Sequence, residues 1–248
     1  TIFIYQIEKN MESQKPKIAM YVKRPFGEKL NASFDFLKEN WKLLLRFTTY
    51  LLLPLCLIQA LSLNGLMSGA LSISAIASST AMAASSSSLI AFGSYYGLYM
   101  FLYLIGIILL TSLVYGLIRT YNEREERLQG VTLGMLKPRL FRNIKRLLLM
   151  TGACILLVLF VGIFVGLLVA LTPFTLFLTI PFIIAFSVPL ALLAPIYLFE
   201  DITLMEAFKK TFRLGFATWG GVFLVSLLMG IIANVLQGVR SEERRVGK

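Results

Sequence analysis

The uncharged stretch at residues 147–199 decides the fold of this chain. It reads LLLMTGACILLVLFVGIFVGLLVALTPFTLFLTIPFIIAFSVPLALLAPIYLF, fifty-three residues without a charged side chain. One transmembrane helix needs about 20 apolar residues, because every backbone N–H and C=O group in lipid must be paired inside the segment. The stretch is too long for one crossing and long enough for two. Proline starts a helix more readily than it continues one, so Leu171-Thr172-Pro173 is the predicted break.

Three other apolar runs have the length of one crossing, at residues 43–63, 95–118 and 219–239. Together with residues 147–171 and 174–199 they predict an all-α fold, a polytopic transmembrane helical bundle with five spans. Hydrophobic side chains make up 57% of the chain and charged side chains 15%, against about 45–50% and 25% in soluble domains. These figures exclude a soluble or disordered chain. The continuity of the runs excludes the alternating strands of a transmembrane β-barrel.

Basic side chains occur beside only some of the spans and set the predicted orientation. Residues 11–42 carry seven Lys and Arg, residues 119–146 carry eight and residues 200–213 carry three. The segments between the first and second spans and between the third and fourth carry none. Because Lys and Arg are enriched in cytoplasmic loops, we predict that the basic segments and the N-terminus lie in the cytoplasm. The expected location is a bacterial inner membrane.

The stretch at residues 65–88 is rich in small side chains. We expect it to form an external loop, with a helix lying on the membrane surface as the alternative, because a crossing there would move the basic residues 119–146 to the opposite side. With the N-terminus in the cytoplasm, five crossings leave residue 239 on the external side. We therefore expect a sixth helix beyond Val239.

Both ends of the chain carry residues that we do not expect to be native. The first methionine is Met11, so residues 1–10 are interpreted as upstream residues. Residues 240–248 resemble a translated sequencing adapter. The alternative for this tail is an ordinary basic segment beside the membrane. The membrane domain proper is therefore expected at residues 43–239, after a cytoplasmic segment at residues 11–42.

Three short amphipathic helices are predicted on the cytoplasmic side. The first presents an apolar face with helical spacing, made of Phe26, Leu30, Phe34, Leu37 and Trp41. The second is the basic segment at residues 138–146, and the third begins with the capping-box pattern Thr203-Leu204-Met205-Glu206. Basic side chains near a bilayer attract anionic headgroups; the alternative is that these charges only set the topology. The candidate lipid or partner contacts are Arg139, Arg142, Lys145, Arg146, Phe208, Lys209, Lys210 and Phe212.

The order of the helices and one segment carry a resemblance to a known group of proteins. That segment reads PIYLFED at residues 195–201 and continues with EAF at 206–208 and FRL at 212–214. It resembles bacterial six-helix integral membrane proteins of unknown function, akin to the membrane domain fused to some glycerophosphodiester phosphodiesterases. The resemblance implies no catalytic residue, because that membrane domain is not the hydrolase.

The residues that usually carry enzyme chemistry are scarce. The chain has no histidine and two cysteines, and Cys56 and Cys154 are interpreted as small buried hydrophobes within apolar runs. No phosphate-binding loop or nucleophile motif occurs, and Arg46 is the one charged residue within a span. We therefore expect no enzymatic activity, no cofactor, no metal and no nucleic-acid partner.

The leading functional hypothesis is a membrane-organising protein or an accessory subunit. Its expected partners are the lipid bilayer, anionic lipid headgroups and other membrane subunits. The alternative is a permease for a small apolar or lipid-like substrate that passes a helix kinked at Pro181, Pro189 and Pro195. The GxxxG spacings at Gly93 and Gly97 and at Gly162 and Gly166 indicate close helix packing.

Overall fold

All regular structure in the described part of the chain is α-helical, which confirms the predicted fold class. The computed structural model describes residues 16–19, 22–78, 86–172 and 174–246. Seven helices follow one another in these residues: α1 (Phe26–Ser78), α2 (Ser86–Glu123), α3 (Leu133–Leu171), α4 (Thr175–Leu190), α5 (Leu193–Phe199), α6 (Leu204–Ala217) and α7 (Trp219–Val246).

Several of these helices have the length and composition of membrane spans. Helices α1, α2 and α3 qualify individually, and α4 with α5 qualifies as one segment, Thr175–Phe199. A fifth candidate is the pair α6 and α7, whose axes are bent by 89° at the break between them. The described residues thus contain four to five apolar helices that could cross a membrane, as in a multi-pass membrane protein.

Helix α1 is longer than predicted and contradicts the predicted loop over much of its length. It runs without a break through the amphipathic segment, the first apolar run and residues 65–78. At 1.5 Å per residue, its 53 residues extend for about 80 Å. Pro54 removes only one backbone hydrogen bond and does not end the helix. Residues 79–85 of the predicted loop lie outside the described residues, and the remaining three begin α2.

Contacts with α2 explain why α1 continues past residue 64. A methyl group at Gly65 would lie 2.6 Å from the Tyr95 ring, and one at Gly69 would lie 3.5 Å from Phe92. Glycine lets two helices approach closely and gain dispersion contacts in the absence of a hydrophobic driving force. The structure therefore places a GxxxG contact at Gly65 and Gly69, which the sequence analysis missed.

The GxxxG pairs that were predicted have a different environment. A methyl group at Gly93, Gly97, Gly162 or Gly166 would have no described atom within 4 Å apart from its chain neighbours and the adjacent backbone of its own helix. No other helix of the described residues packs closely against α2 or α3 at these glycines. The prediction of close packing at these positions is wrong within the described chain.

Helix α3 joins two segments that were predicted separately, the basic segment 138–146 and the third span. It ends at Leu171, the predicted break. Pro138 is near its start, where few intrahelical hydrogen bonds are lost. The basic segment is therefore the first part of a 39-residue helix and not a separate helix.

The chain divides into two compact units, residues 1–145 and 146–248, and α3 contributes to both. In the first unit the buried core lies near the charged ends of the helices. It consists of Phe36 and Phe47 from α1, Leu113, Leu117 and Tyr121 from α2, Leu128 and Val131 from the connection, and Leu136 from α3.

The second unit has a smaller core around α5 and α6. Leu193, Tyr197 and Ala207 are buried there, and Cys154 packs against them while remaining partly exposed. Cys56, in the first unit, is exposed in the isolated chain, so its predicted burial is wrong. The residue lies on the outer surface of α1, where a bilayer would replace protein as its apolar surroundings.

Candidate functional site: the charged ends of the apolar helices

In the first unit, Glu39 binds two groups from a distant part of the chain. Its Oε1 accepts a hydrogen bond from Arg127 Nη1 at 2.9 Å, and its Oε2 accepts one from the Tyr121 hydroxyl at 3.1 Å. Phe36 packs edge-on against the Tyr121 ring, with centroids 5.2 Å apart. These contacts attach the connection between α2 and α3 to α1. Arg127 has a positive φ of 58°, an uncommon conformation for a residue with a side chain.

The side chain of Lys17 caps the C-terminal end of α2. Its Nζ donates to the carbonyl oxygens of Asn122 at 2.7 Å and Arg124 at 3.1 Å, and it lies 5.8 Å from the Tyr121 ring centroid. The last carbonyls of a helix lack intrahelical partners and favour a cation. The ammonium group of this lysine is thus bound by groups of its own chain.

A second ionic group joins α2 to α3. Glu123 accepts hydrogen bonds from Arg119, at 3.0 Å, and from Arg139, which also donates to the Thr120 hydroxyl at 3.0 Å. One turn below, Asn143 donates to the backbone carbonyl of Ser112. The guanidinium of Arg139, a predicted lipid contact, is therefore paired with a carboxylate of its own chain, which it shares with Arg119.

In the second unit, Arg146 holds the connection between α5 and α6. Its Nη2 donates to the carbonyl oxygens of Tyr197 at 2.6 Å and Ile202 at 2.7 Å, and its Nη1 donates to Asp201 at 3.3 Å. The guanidinium carbon also lies 4.1 Å from the centroid of the Tyr197 ring. Asp201 has a positive φ of 53°. Arg146 was predicted as a lipid contact, and the structure shows it bound to backbone carbonyls.

Helix α6 begins with the predicted capping box. Thr203 Oγ1 accepts from the Glu206 N–H at 3.4 Å, and the Glu206 carboxylate accepts from the Thr203 N–H at 3.1 Å. These hydrogen bonds lower the pKa of Glu206 below its ordinary value. Lys210 donates to Glu200 at 2.6 Å, so its charge is also paired within the unit.

The aromatic candidates on α6 pack against their own unit. Phe208 is partly buried against the core of the second unit. Phe212 is T-shaped against Phe186 of α4, with ring centroids 5.9 Å apart, and Phe216 contacts Phe186 at 5.4 Å. Among the predicted contact residues, Arg142, Lys145 and Lys209 have exposed side chains.

Close contacts of α4 were missed by the sequence analysis. Pro189 lacks an N–H and leaves the carbonyl of Ala185, four residues earlier, without its helical partner. Trp219 Nε1 donates to this oxygen at 3.1 Å. A methyl group at Gly215 would lie 2.5 Å from Pro189 Cβ. A proline within a helix predicts a free carbonyl, but nothing in the sequence indicates which donor reaches it.

The chemistry available at these sites is that of ion pairing and hydrogen bonding. Among the described residues, no group of three or more His, Cys, Asp or Glu could hold a metal ion. Comparisons of the chain with protein-family models, curated proteins and solved structures found no match.

Proposed function

We propose that this chain is a non-enzymatic protein of a bacterial inner membrane that organises lipids or serves as an accessory subunit. In this proposal the basic helix ends lie in the cytoplasm and contact anionic headgroups or other membrane subunits. The observation that carries it is the division of the basic residues into two groups. Arg127, Arg139, Arg146 and Lys210 are paired within the chain, whereas Lys145 and Lys209 keep exposed side chains.

The exposed apolar surface also supports a membrane role. On α1, Phe34, Leu37, Trp41 and Leu45 are between 44% and 60% exposed, and Lys38 and Lys42 are exposed on the same helix. A soluble monomer rarely presents a continuous apolar surface of this kind. Trp41 is well suited to the boundary between headgroups and acyl chains.

The permease alternative predicts backbone groups left free for a substrate near a helix break. The break between α4 and α5 follows Pro189, but the carbonyl freed by that proline is bound by Trp219. This contact favours a structural role for the break. The accessory role is therefore the stronger proposal.

Orientation is tested with single cysteines on a Cys56→Ala, Cys154→Ala background, using a membrane-impermeant thiol reagent on intact cells. We expect labelling at Ser86→Cys from outside and labelling at Glu125→Cys only after the cells are permeabilised. The reverse pattern would overturn the proposed orientation.

The choice between the two functions is tested in vesicles of phosphatidylcholine and phosphatidylglycerol. An accessory protein should not accelerate the transbilayer movement of a fluorescent lipid. Protein-dependent movement that is lost in the Pro181→Ala, Pro189→Ala, Pro195→Ala variant would establish the permease.

A further inference from the structure

Helix α6 has an apolar flank that its own unit covers only in part. Its buried face consists of Ala207, Thr211 and Gly215. Met205 and Phe216 lie elsewhere on the helix and are 67% and 48% exposed, with one side of the Phe216 ring against Phe186. At 3.6 residues per turn they project within about 20° of each other. The helix thus has a buried face of small side chains and a separate apolar flank that is partly open.

Basic residues border the open flank. Lys209 and Arg213 are exposed, and they project about 40° and 80° from Met205 on one side. The helix therefore presents an apolar strip with a cationic edge. This arrangement is typical of helices that lie in a membrane interface, with cations at the headgroups and apolar side chains in the acyl region.

The geometry of the neighbouring helix defines how α6 is oriented. Helix α7 begins at Trp219, and its axis makes an angle of 89° with that of α6. The apolar run at residues 219–239 would extend for about 30 Å, which matches the hydrocarbon thickness of a bilayer. If α7 crosses the membrane, a helix at a right angle to it lies in the bilayer plane. Trp219 then lies at the bend between α6 and α7, at the membrane–water interface where tryptophan is enriched.

We propose that α6 is an in-plane interfacial helix that binds the anionic leaflet. Met205 and Phe216 enter the acyl region, and Lys209 and Arg213 bind lipid phosphate groups. The ligand is an anionic phospholipid surface, and charge complementarity with the basic edge favours it over a protein partner. This inference rests on the proposed membrane role and replaces Phe208, Lys210 and Phe212 as the contact residues of α6.

The depth of each face can be measured in the full chain. Spin labels are attached to single cysteines at Met205, Phe216, Glu206 and Arg213 on the Cys56→Ala, Cys154→Ala background, in vesicles with phosphatidylcholine and phosphatidylglycerol in a 7:3 ratio. We expect a several-fold higher ratio of oxygen to nickel-chelate accessibility at positions 205 and 216 than at 206 and 213. Equal, water-like accessibility at all four positions would overturn the inference. Low accessibility to both reagents at 205 and 216 would also overturn it, because protein would then cover the flank.

Lipid selectivity gives a second measurement. In a Trp41→Phe variant, Trp219 is the one remaining tryptophan, and its quenching by brominated phosphatidylglycerol or phosphatidylcholine reports the neighbouring lipid. The Lys209→Gln, Arg213→Gln variant should lose preference for the anionic lipid by about fivefold per charge. Lys137→Gln, which removes an exposed charge from α3, is the matched control and should leave the quenching ratio unchanged. An unchanged ratio in the double variant would contradict the inference.

These outcomes are separable from the test of the proposed function. If the spin labels show no interfacial depth for α6 but Ser86→Cys and Glu125→Cys are labelled as expected, only the inference about α6 is contradicted. Reversed labelling would remove the proposed orientation, whatever the depth of α6.

Discussion

The two units of the chain use their charged side chains in different ways. In the first unit, carboxylates bind arginines, as Glu39 binds Arg127 and Glu123 binds Arg139. In the second unit, Arg146 donates to two backbone carbonyls as well as to Asp201. Both units thus use cations to bind carboxylates and backbone carbonyls. In the first unit different residues do so, with Lys17 on carbonyls and Arg127 and Arg139 on carboxylates, whereas in the second Arg146 binds both.

The difference follows from the connections that the cations hold. The connection between α2 and α3 carries several ionic side chains, so an ion pair attaches it to α1 while Lys17 separately binds the carbonyls at the end of α2. The turn between α5 and α6 is short and exposes free carbonyls at the end of a helix, which a guanidinium with its five donors can satisfy together. The basic residues predicted to be equivalent membrane contacts therefore have different roles.

The strongest test of this comparison is Arg146→Met, which keeps an unbranched apolar side chain and removes the guanidinium. It should lower the free energy of unfolding by about 2–4 kcal/mol, because two carbonyls and Asp201 lose a charged partner. Thermal unfolding in mild detergent measures the change. Lys145→Met removes the neighbouring exposed charge and should have little effect. Equal losses in the two variants would contradict a specific role for Arg146.

The packing of the second unit is tested by Gly215→Ala. The added methyl group would lie 2.6 Å from the Pro189 Cα, so α4 and α6 must separate. We expect a loss of about 1–3 kcal/mol in the free energy of unfolding. Gly220→Ala is the control, since a methyl group there meets no other described atom within 4 Å. An unchanged unfolding temperature in Gly215→Ala would show that the contact is looser than described.

The ion pairing of the first unit is tested by Glu39→Gln. This change weakens the bonds to Arg127 and Tyr121, and we expect a loss of about 1–2 kcal/mol in the free energy of unfolding. Limited proteolysis should also cleave the connection at residues 124–132 more quickly. Asp35→Asn, at an exposed position of the same helix, should change neither measurement.

The bond from Trp219 to Ala185 is tested by a double-mutant cycle with Pro189→Ala. Trp219→Phe alone should cost about 1 kcal/mol of unfolding free energy, because the Ala185 carbonyl loses its donor. In the Pro189→Ala background the restored N–H pairs this carbonyl, so the same change should cost less. Additive effects would show that the indole bond does not compensate for the proline.

The smallest expected effect concerns the capping box of α6. The pKa of Glu206 is lowered by its hydrogen bonds to Thr203, so its stabilising effect is fully present above the ordinary value of 4.5. It is lost as the pH falls through the lowered pKa. The unfolding temperature of the wild-type chain should fall more steeply in this acidic range than that of Glu206→Gln. Parallel pH profiles would contradict the assignment.

Local patterns predicted the fold class and several of its details. The uncharged run at residues 147–199 predicted two helical segments, and α3 ends where the proline was expected to end it. The capping box at Thr203 and Glu206 was also correct. These features depend on residues that are close in sequence. The predicted loop at residues 65–88 is wrong over residues 65–78, which continue α1 because contacts of Gly65 and Gly69 with α2 favour a longer helix.

The sequence by itself determined that the chain is helical, highly apolar and asymmetric in charge, because burial in lipid and backbone pairing act on each segment separately. The tertiary structure decided which cations are paired. Arg139 and Arg146 are as basic in sequence as Lys145 and Lys209, but their partners Glu123 and Asp201 are 16 and 55 residues away. Side-chain partners depend on how helices meet, and no local pattern records that geometry.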